Sequence, residues 1–386
     1  MNIIIVGGGF AGVRAALMLS KYNVGKVKLI SDEPYFLHHA TLYSTATGGD
    51  KSESVIMLAD IFANHPDVEV IHDKLLGVDK ERKLVSCKNK SYEYDQLIIA
   101  VGSVTTFFGI QGMAEHAFGI KSLEEIEKFS AHLRDEVIAN QHLDKHYYII
   151  GGGPTGTELA AALVEYLRHL VKVHKNTRGK INVTLVEAFP RILPRMSKTA
   201  SRIITKRLRT LGVRVVTNHK VDRLDGEFIT IEGKQIPTQT AVWTSGVANN
   251  PFFSVNNDIF ELAENGRVKV DAYLKSDDNI FVIGDNNTVK YSGLALPAVR
   301  QAEFVAKHLK RVKNGRQLRK FRPTAPPQGV PVGRGWGYVE WHGIYVKGKT
   351  GYIARRIMEF KGYLAVLSPL SAIIAWKAHY FKNYEK

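Results

Sequence analysis

An unbroken apolar, β-branched run, Asn2-Ile3-Ile4-Ile5-Val6, opens the chain and reads as a strand buried on both faces. The glycine-rich turn Gly7–Gly12 follows, then helix-forming spacing from Val13 to Tyr22 and a second strand from Lys26 to Ile30. Asp95–Gly102 is a further buried strand that ends in small residues. The same grammar restarts at His146–Ile150, with glycines from Gly151 to Gly156, a helix from Thr157 to about His174 and a strand from Ile181 to Val186. A whole strand–turn–helix–strand unit is therefore duplicated. Asn279–Asp285 is one more buried strand, with an acid at its carboxyl end. Beyond Arg322, Pro323, Pro326, Pro327, Gly329, Gly333, Gly335 and Gly337 predict a linker or an irregular extension. From Gly351 to Lys386 the helical spacing returns, with Ile353, Ile357, Phe360, Leu364, Leu367, Ile374 and Trp376 on one stripe and Pro369 dividing it into two short helices.

The duplicated turns carry the chemistry. Gly7-Gly8-Gly9-Phe10-Ala11-Gly12 fits G-x-G-x-x-G between a strand and a helix. The first glycine makes the tight turn, the second lets backbone approach a pyrophosphate, and the third packs helix on strand. The diphosphate then meets the positive end of a helix. Asp32, about 20 residues on, is placed to bind adenosine ribose hydroxyls. Gly151-Gly152-Gly153-Pro154-Thr155-Gly156 repeats the pattern, and Glu187 closes the next strand. A carboxylate there accepts from a 2′-hydroxyl and repels a 2′-phosphate, which favours NADH over NADPH. Arg191 and Arg195 lie close enough in sequence to soften that preference. Glu158 opens the second helix, where an acid also suits the helix dipole. Gly284-Asp285 offers an acid to a ribityl chain or ribose, or alternatively a helix N-cap.

Composition narrows the class. At 386 residues, 45% hydrophobic and 23% charged, the chain is an ordinary globular protein of two or three domains. One cysteine, Cys87, excludes an intramolecular disulfide, so redox chemistry must run through a bound cofactor. The histidines are scattered, and no Cys/His spacing fits a metal site. The chain starts without a signal-peptide pattern, so a cytoplasmic location is expected. Its longest apolar window, Tyr363 to Trp376, contains Pro369 and falls short of the roughly 20 residues that span a bilayer. A formal charge of +16 asks for an anionic partner, either nucleic acid or acidic lipid.

Together these pieces resemble the type II NADH dehydrogenases, single-subunit NADH:quinone oxidoreductases that pump no protons. The resemblance covers residues 1 to about 310. It is carried by Thr41–Gly48, Ala100–Ser103, Phe108–Gly112 running into Glu115–Leu123, Gly151–Leu159, Val242–Val247 and Val282–Asp285. Three departures stand out. Ser31 precedes Asp32 where the family has its acid, Ala162 stands where a second glutamate is usual, and the quinone motif reads Ala295-Leu296-Pro297-Ala298-Val299-Arg300-Gln301. His38 and His39 also replace the family's usual residues near the flavin.

The resemblance implies an α/β fold with two Rossmann-like dinucleotide-binding domains. Residues 1–113 and 248–322 form the FAD domain, 114–247 the inserted NADH domain, and 323–386 a C-terminal extension that lies on a membrane surface. It assigns noncovalent FAD to Gly7, Gly9, Phe10, Ala11, Gly12, Ser31, Asp32, Thr47, Leu75, Ala100, Val101, Gly102, Gly284 and Asp285. NADH falls to Gly151, Gly153, Pro154, Thr155, Gly156, Glu187, Ser245 and Gly246, with Glu158 beside the nicotinamide. Arg300 and Gln301 are the candidates for the quinone end. The expected reaction passes hydride from NADH to FAD and two electrons on to quinone, peripherally at the cytoplasmic membrane face. Arg355, Arg356, Lys361, Lys377 and Lys382 are expected to flank the apolar stripe, and Tyr363, Trp376, Tyr380 and Tyr384 to sit among headgroups. A homodimer interface is the other use for that stripe. Rival functions are reduction of a soluble electron carrier, or nucleic-acid binding of the apoptosis-inducing-factor kind, with nucleic acid the disfavoured partner.

Overall fold

The computed structural model describes residues 1–139, 146–174 and 180–379. Its largest sheet has six strands in the order Lys275–Asp277, Ile280–Val282, Gln96–Ile99, Asn2–Val6, Lys26–Ser31 and Val68–His72. All neighbours are parallel except the first pair. Alternate residues of Asn2–Val6 enter different cores. Ile3 and Ile5 pack under helices Phe10–Lys21 and Ala295–Lys313, and Ile4 and Val6 against Leu75, Val85 and Phe253. Burial of both faces explains the absence of polar alternation.

A second sheet, all parallel and ordered Arg214–Thr217, Val183–Glu187, Tyr147–Ile150 and Thr240–Trp243, arises wholly from the chain between strands Gln96–Ile99 and Lys275–Asp277 of the first. Its principal helix, Pro154–Val173, is buried along most of its length. The antiparallel pair Ser103–Thr105 and Val247–Asn249 bridges the points where the chain leaves and re-enters the first sheet. Both glycine turns lie where strand order reverses, the position at which open parallel sheets bind ligands.

The extension after Arg322 is not an irregular linker. Gln328–Pro331, Gly337–Trp341 and Ile344–Lys347 form an antiparallel sheet. Its first turn uses Gly333 and Gly335 at φ +81° and +68°, so two of the glycines that suggested irregularity serve a hairpin, and Gly343 at φ +82° makes the second turn. Two helices follow, Gly348–Val366 and Pro369–Ala378, and Ser368 caps the second by accepting from the Ser371 N–H. Among the described residues, no helix is long and apolar enough to cross a membrane.

The charged face of the first C-terminal helix reverses expectation. Arg355 and Arg356 do not flank an outward apolar stripe. They are buried at 6% and 3% exposure, together with Glu359 and Tyr363. Ile353, Ile357, Leu364, Leu370, Ile373 and Ile374 face outward instead, beside Trp341 and Ile344 of the hairpin. Lys361 and Lys377 are exposed as expected, Trp376 is half-buried, and Tyr380, Lys382 and Tyr384 lie outside the described residues.

Candidate functional site: two glycine loops and a buried acid

The two glycine loops are near copies. Gly7 and Gly151 adopt φ +117° and +115°, and each N–H donates to the neighbouring strand, at Ile30 O and Val186 O, both 2.8 Å. A Cβ on Gly12 would lie 1.9 Å from Gly7 O, and one on Gly156 would lie 2.0 Å from Gly151 O. Both helices are thereby drawn onto their turns. Gly9 and Gly153, the N-cap residues, have nothing within 4 Å of a built Cβ, and neither helix start receives a side-chain cap. Uncapped N–H groups at an open, glycine-lined helix end suit a diphosphate. Both loops thus fit a dinucleotide.

Other predicted residues converge on the first loop. A Cβ on Gly7 would strike Ala100 O, with Val101 N next to it, and one on Gly284 would meet Ala11. Asn286 locks this junction by accepting from Gly102 N–H at 3.0 Å and donating back to Gly102 O at 2.6 Å. Ser103 donates to Asp285 at 2.8 Å and accepts from Lys121 Nζ at 3.0 Å. Burial brings the Lys121 ammonium down to about 8, against the opposing pull of Asp285 and Glu125. Asn286 and Lys121 were missed because neither belongs to a spacing pattern; Lys121 stood only inside the resemblance stretch. Leu75 belongs to the hydrophobic core, and the Thr47 hydroxyl donates to Tyr43 O, so the structure shows no direct link from either to the loop. Phe10 packs edge-on against Phe36 and His38.

At the end of the second strand the two halves differ. Glu187 accepts from Gly152 N–H at 2.7 Å and Phe189 N–H at 2.9 Å. Ser31 holds the matching place beside Gly8, with its Oγ 2.6 Å from a built Cβ, and Asp32 lies one residue further out and exposed. Arg191 donates to Leu193 O, Met196 O and Pro194 O, so it braces its own loop. That leaves Arg195 as the exposed arginine nearby. Ser245 closes against Gly151, and Gly246 lies under the exposed ring of Phe108.

Glu158 is buried on the second helix and faces the C-terminal helix, with its Oε1 3.7 Å from Arg355 Nη2. Arg355 also meets Glu359 at 2.9 Å and donates to Gly329 O, and Glu359 pairs in turn with Arg356. Burial pushes the Glu158 carboxyl up to about 8, with Arg355 opposing and Glu359 reinforcing. Burial would also raise Glu359, but Arg355 and Arg356 overrule it and hold that carboxyl below its ordinary range. The site therefore pairs one neutral acid with one ionised acid at neutral pH. His38 stacks on Tyr363 at 4.3 Å, and burial lowers its imidazole to about 3, so it is a neutral packing residue.

Arg300 donates to Thr324, and Gln301 is wholly buried. The Gln301 amide accepts from Gly284 N–H and Asn287 and donates to Ser292. Gln301 thus holds the Gly284 turn and does not present itself to an acceptor.

The family model for the pyridine nucleotide-disulphide oxidoreductases matches residues 1–302. A relative from Staphylococcus aureus (strain NCTC 8325), named type II NADH:quinone oxidoreductase, is 26% identical over 388 residues, covering 95% of this chain and 96% of its own. A Staphylococcus epidermidis relative of the same name is 26% identical over 93% of this chain and 94% of its own. Among solved structures, NDH2 from Plasmodium falciparum in complex with NADH superposes with a TM-score of 0.85 at 19% identity, over 99% of this chain and 98% of that one. The sulfide:quinone oxidoreductase of Aquifex aeolicus gives 0.74 at 19% identity, over 98% and 91%.

Proposed function

This chain belongs to the pyridine nucleotide-disulphide oxidoreductase family, and from that premise we infer that it is a type II NADH:quinone oxidoreductase. The observation that carries the reading is the pair of open glycine loops, one followed by Glu187, in a chain with no second cysteine. A redox disulphide within the chain needs two thiols. Cys87 stands alone and buried, and burial pushes its thiol up to about 11. Similarity to the staphylococcal enzymes along nearly the whole chain supports quinone as the acceptor. NADH oxidation by the purified protein, assayed against a short-chain quinone, a small iron–sulfur protein and duplex DNA binding, tests this. Multiple rapid turnovers with quinone are expected; reduction of the iron–sulfur protein alone would overturn the assignment.

In this reading residues 1–113 and 248–322 hold noncovalent FAD, and residues 114–247 hold NADH. Gly7, Gly9, Gly12, Ala100–Gly102, Gly284 and Asp285 cradle the first dinucleotide, with Ser31 and Asp32 toward its ribose. Gly151, Gly153–Gly156, Ser245 and Gly246 cradle the second. When bound, a flavin accepts two electrons as hydride and passes them on, while the protein supplies orientation and electrostatics. Glu158, kept neutral by burial, holds a proton on its carboxyl at the junction of the inserted domain and the C-terminal helix. Arg300 remains the candidate at the acceptor end, with Gln301 acting through the Gly284 turn. The outward apolar face of the C-terminal helices seats the enzyme peripherally on the cytoplasmic membrane face, where long-tailed quinone resides. The same face is the surface a homodimer would use.

Two outcomes follow. Glu187→Gln should narrow the preference for NADH over NADPH by roughly fivefold, since Arg191 is committed to its loop and one repelling charge is worth on the order of 1 kcal/mol. Comparison of kcat/KM for the two nucleotides reads it, and equal use of both by the native enzyme would remove the assignment. Glu158 carries its proton below about pH 8 and loses it above, so turnover should fall as pH rises through that value. In Glu158→Gln the alkaline limb should disappear and kcat drop roughly a hundredfold, with flavin content unchanged. A native profile that is flat across pH 7–9 would return Glu158 to a packing role.

A further inference from the structure

The +16 charge is unevenly placed. From Phe304 to Val339 the chain has no acidic residue, and eight lysines and arginines fall between Lys307 and Arg322. All but Arg311 are exposed. No ion pair among the described residues neutralises any of them. Their contacts are to carbonyls and a ring: Lys313 Nζ donates to Asn23 O, Arg311 to Gln317 O, and Lys310 sits 4.3 Å over Tyr22.

The dipole at the carboxyl end of helix Ala295–Lys313 accounts for Lys310, Arg311 and Lys313. Arg316, Arg319, Lys320 and Arg322 lie beyond the helix and gain nothing from it. An unneutralised band that repels itself is retained against a cost unless an anion meets it.

What adjoins the band identifies that anion. Trp341 is 54% exposed, and its indole N–H donates to Ala325 O at 3.4 Å, three residues past Arg322. The basic band therefore runs to the exposed edge of the hairpin, where Trp341 pairs with Ile344, 75% exposed, and the hairpin packs on helix Gly348–Val366 with its outward Ile353 and Ile357. Charge beside an apolar, aromatic-bearing face matches a lipid headgroup layer. Single-stranded nucleic acid instead needs exposed rings within the basic groove to stack bases. Of the two aromatic rings inside this stretch, His308 is buried and Phe321 packs against Phe304 at 5.2 Å.

We propose that residues 307–322 form a headgroup-binding band that recognises anionic lipid, making a second membrane contact beside the apolar face. This rests on the bilayer contact proposed for the C-terminal helices. The band contributes charge recognition and leaflet selection, and the helices contribute insertion.

Cosedimentation of the full-length holoenzyme with phosphatidylcholine vesicles, with or without phosphatidylglycerol, tests the proposal. Native protein should prefer the anionic vesicles, less so as salt rises. Replacing Arg316, Arg319, Lys320 and Arg322 by Gln should weaken anionic binding on the order of several hundredfold, at about fivefold per charge. Binding to neutral vesicles, flavin content and melting temperature should stay unchanged. The pair Leu370→Glu and Ile374→Glu should instead lose binding to both vesicle types. If that pair binds as native does while the Gln variant fails on anionic vesicles, the apolar-face reading falls and the band stands. The band is refuted if the Gln variant binds anionic vesicles like native protein, if native protein shows no anionic preference, or if the four residues govern retention on duplex DNA but not on vesicles.

Discussion

Glu359→Ala should destabilise the protein by about 3–5 kcal/mol, the cost of removing one partner from a buried ion network. Both Arg355 and Arg356 pair with Glu359, and all three are nearly excluded from water. Its loss leaves the Arg355 guanidinium with Glu158, at 3.7 Å, as its carboxyl partner among the described residues. Arg356 keeps its bond to the Trp376 carbonyl and its stacking on the Trp376 ring, so Arg355 is the more exposed to the loss. A large drop in urea midpoint should result, and Glu359→Gln should recover only part of it, since it restores shape without charge. There is also a functional signature. Glu359 pushes the Glu158 carboxyl up and Arg355 pulls it down. Removing Glu359 shifts that balance, and the alkaline limb of turnover should move to lower pH. A variant with native stability and a native pH profile would mean that the network is solvated and idle.

Gly12→Val should yield protein without flavin, whereas Gly156→Val should keep flavin and lose NADH. In each case the new side chain meets a carbonyl oxygen of its own turn, at 1.9 Å and 2.0 Å for the Cβ alone. Helix and turn must separate, and the uncapped N–H groups lose their aim. Two misdirected bonds to a charged ligand cost roughly 3–6 kcal/mol, more than a hundredfold in affinity. Absorbance of the purified variants and NADH titration by stopped flow distinguish them. The paired outcome matters because general unfolding would remove flavin from both, whereas loss confined to one loop assigns each loop its ligand.

The glycine loops were legible because their requirement is steric and local. A positive φ at Gly7 and Gly151, and a helix packed on the turn at Gly12 and Gly156, leave a mark in residue type. The C-terminal sheet was not legible because prolines and glycines look alike whether they break structure or turn a hairpin. Pro331 closes a strand and Gly343 turns one. Arg355 and Arg356 were misread for a different reason. Amphipathic patterning shows that a helix has two faces, but not which of them meets water. On helix Gly348–Val366 the charged face, with Tyr363 on it, turns inward to Glu158, and Ile353 and Ile357 turn outward. Likewise, the charges that act on the buried Glu158 carboxyl, Arg355 pulling it down and Glu359 pushing it up, come from a helix far along the chain.

That distance has a consequence for biogenesis. Domains tend to fold as they emerge during synthesis, N-terminal parts first. Both parallel sheets are complete once Val282 has been made, yet the arginines that set the charge around Glu158 arrive only with helix Gly348–Val366. The same helix is fastened to the first glycine-loop helix by Arg14, which donates to Ala365 O while pairing with Glu303. A ribosome-bound chain lacking its last helices would thus carry both glycine loops while Glu158 stayed without its final charge environment. Completion of the Glu158–Arg355–Glu359 cluster and formation of the outward apolar face therefore belong to one closing event.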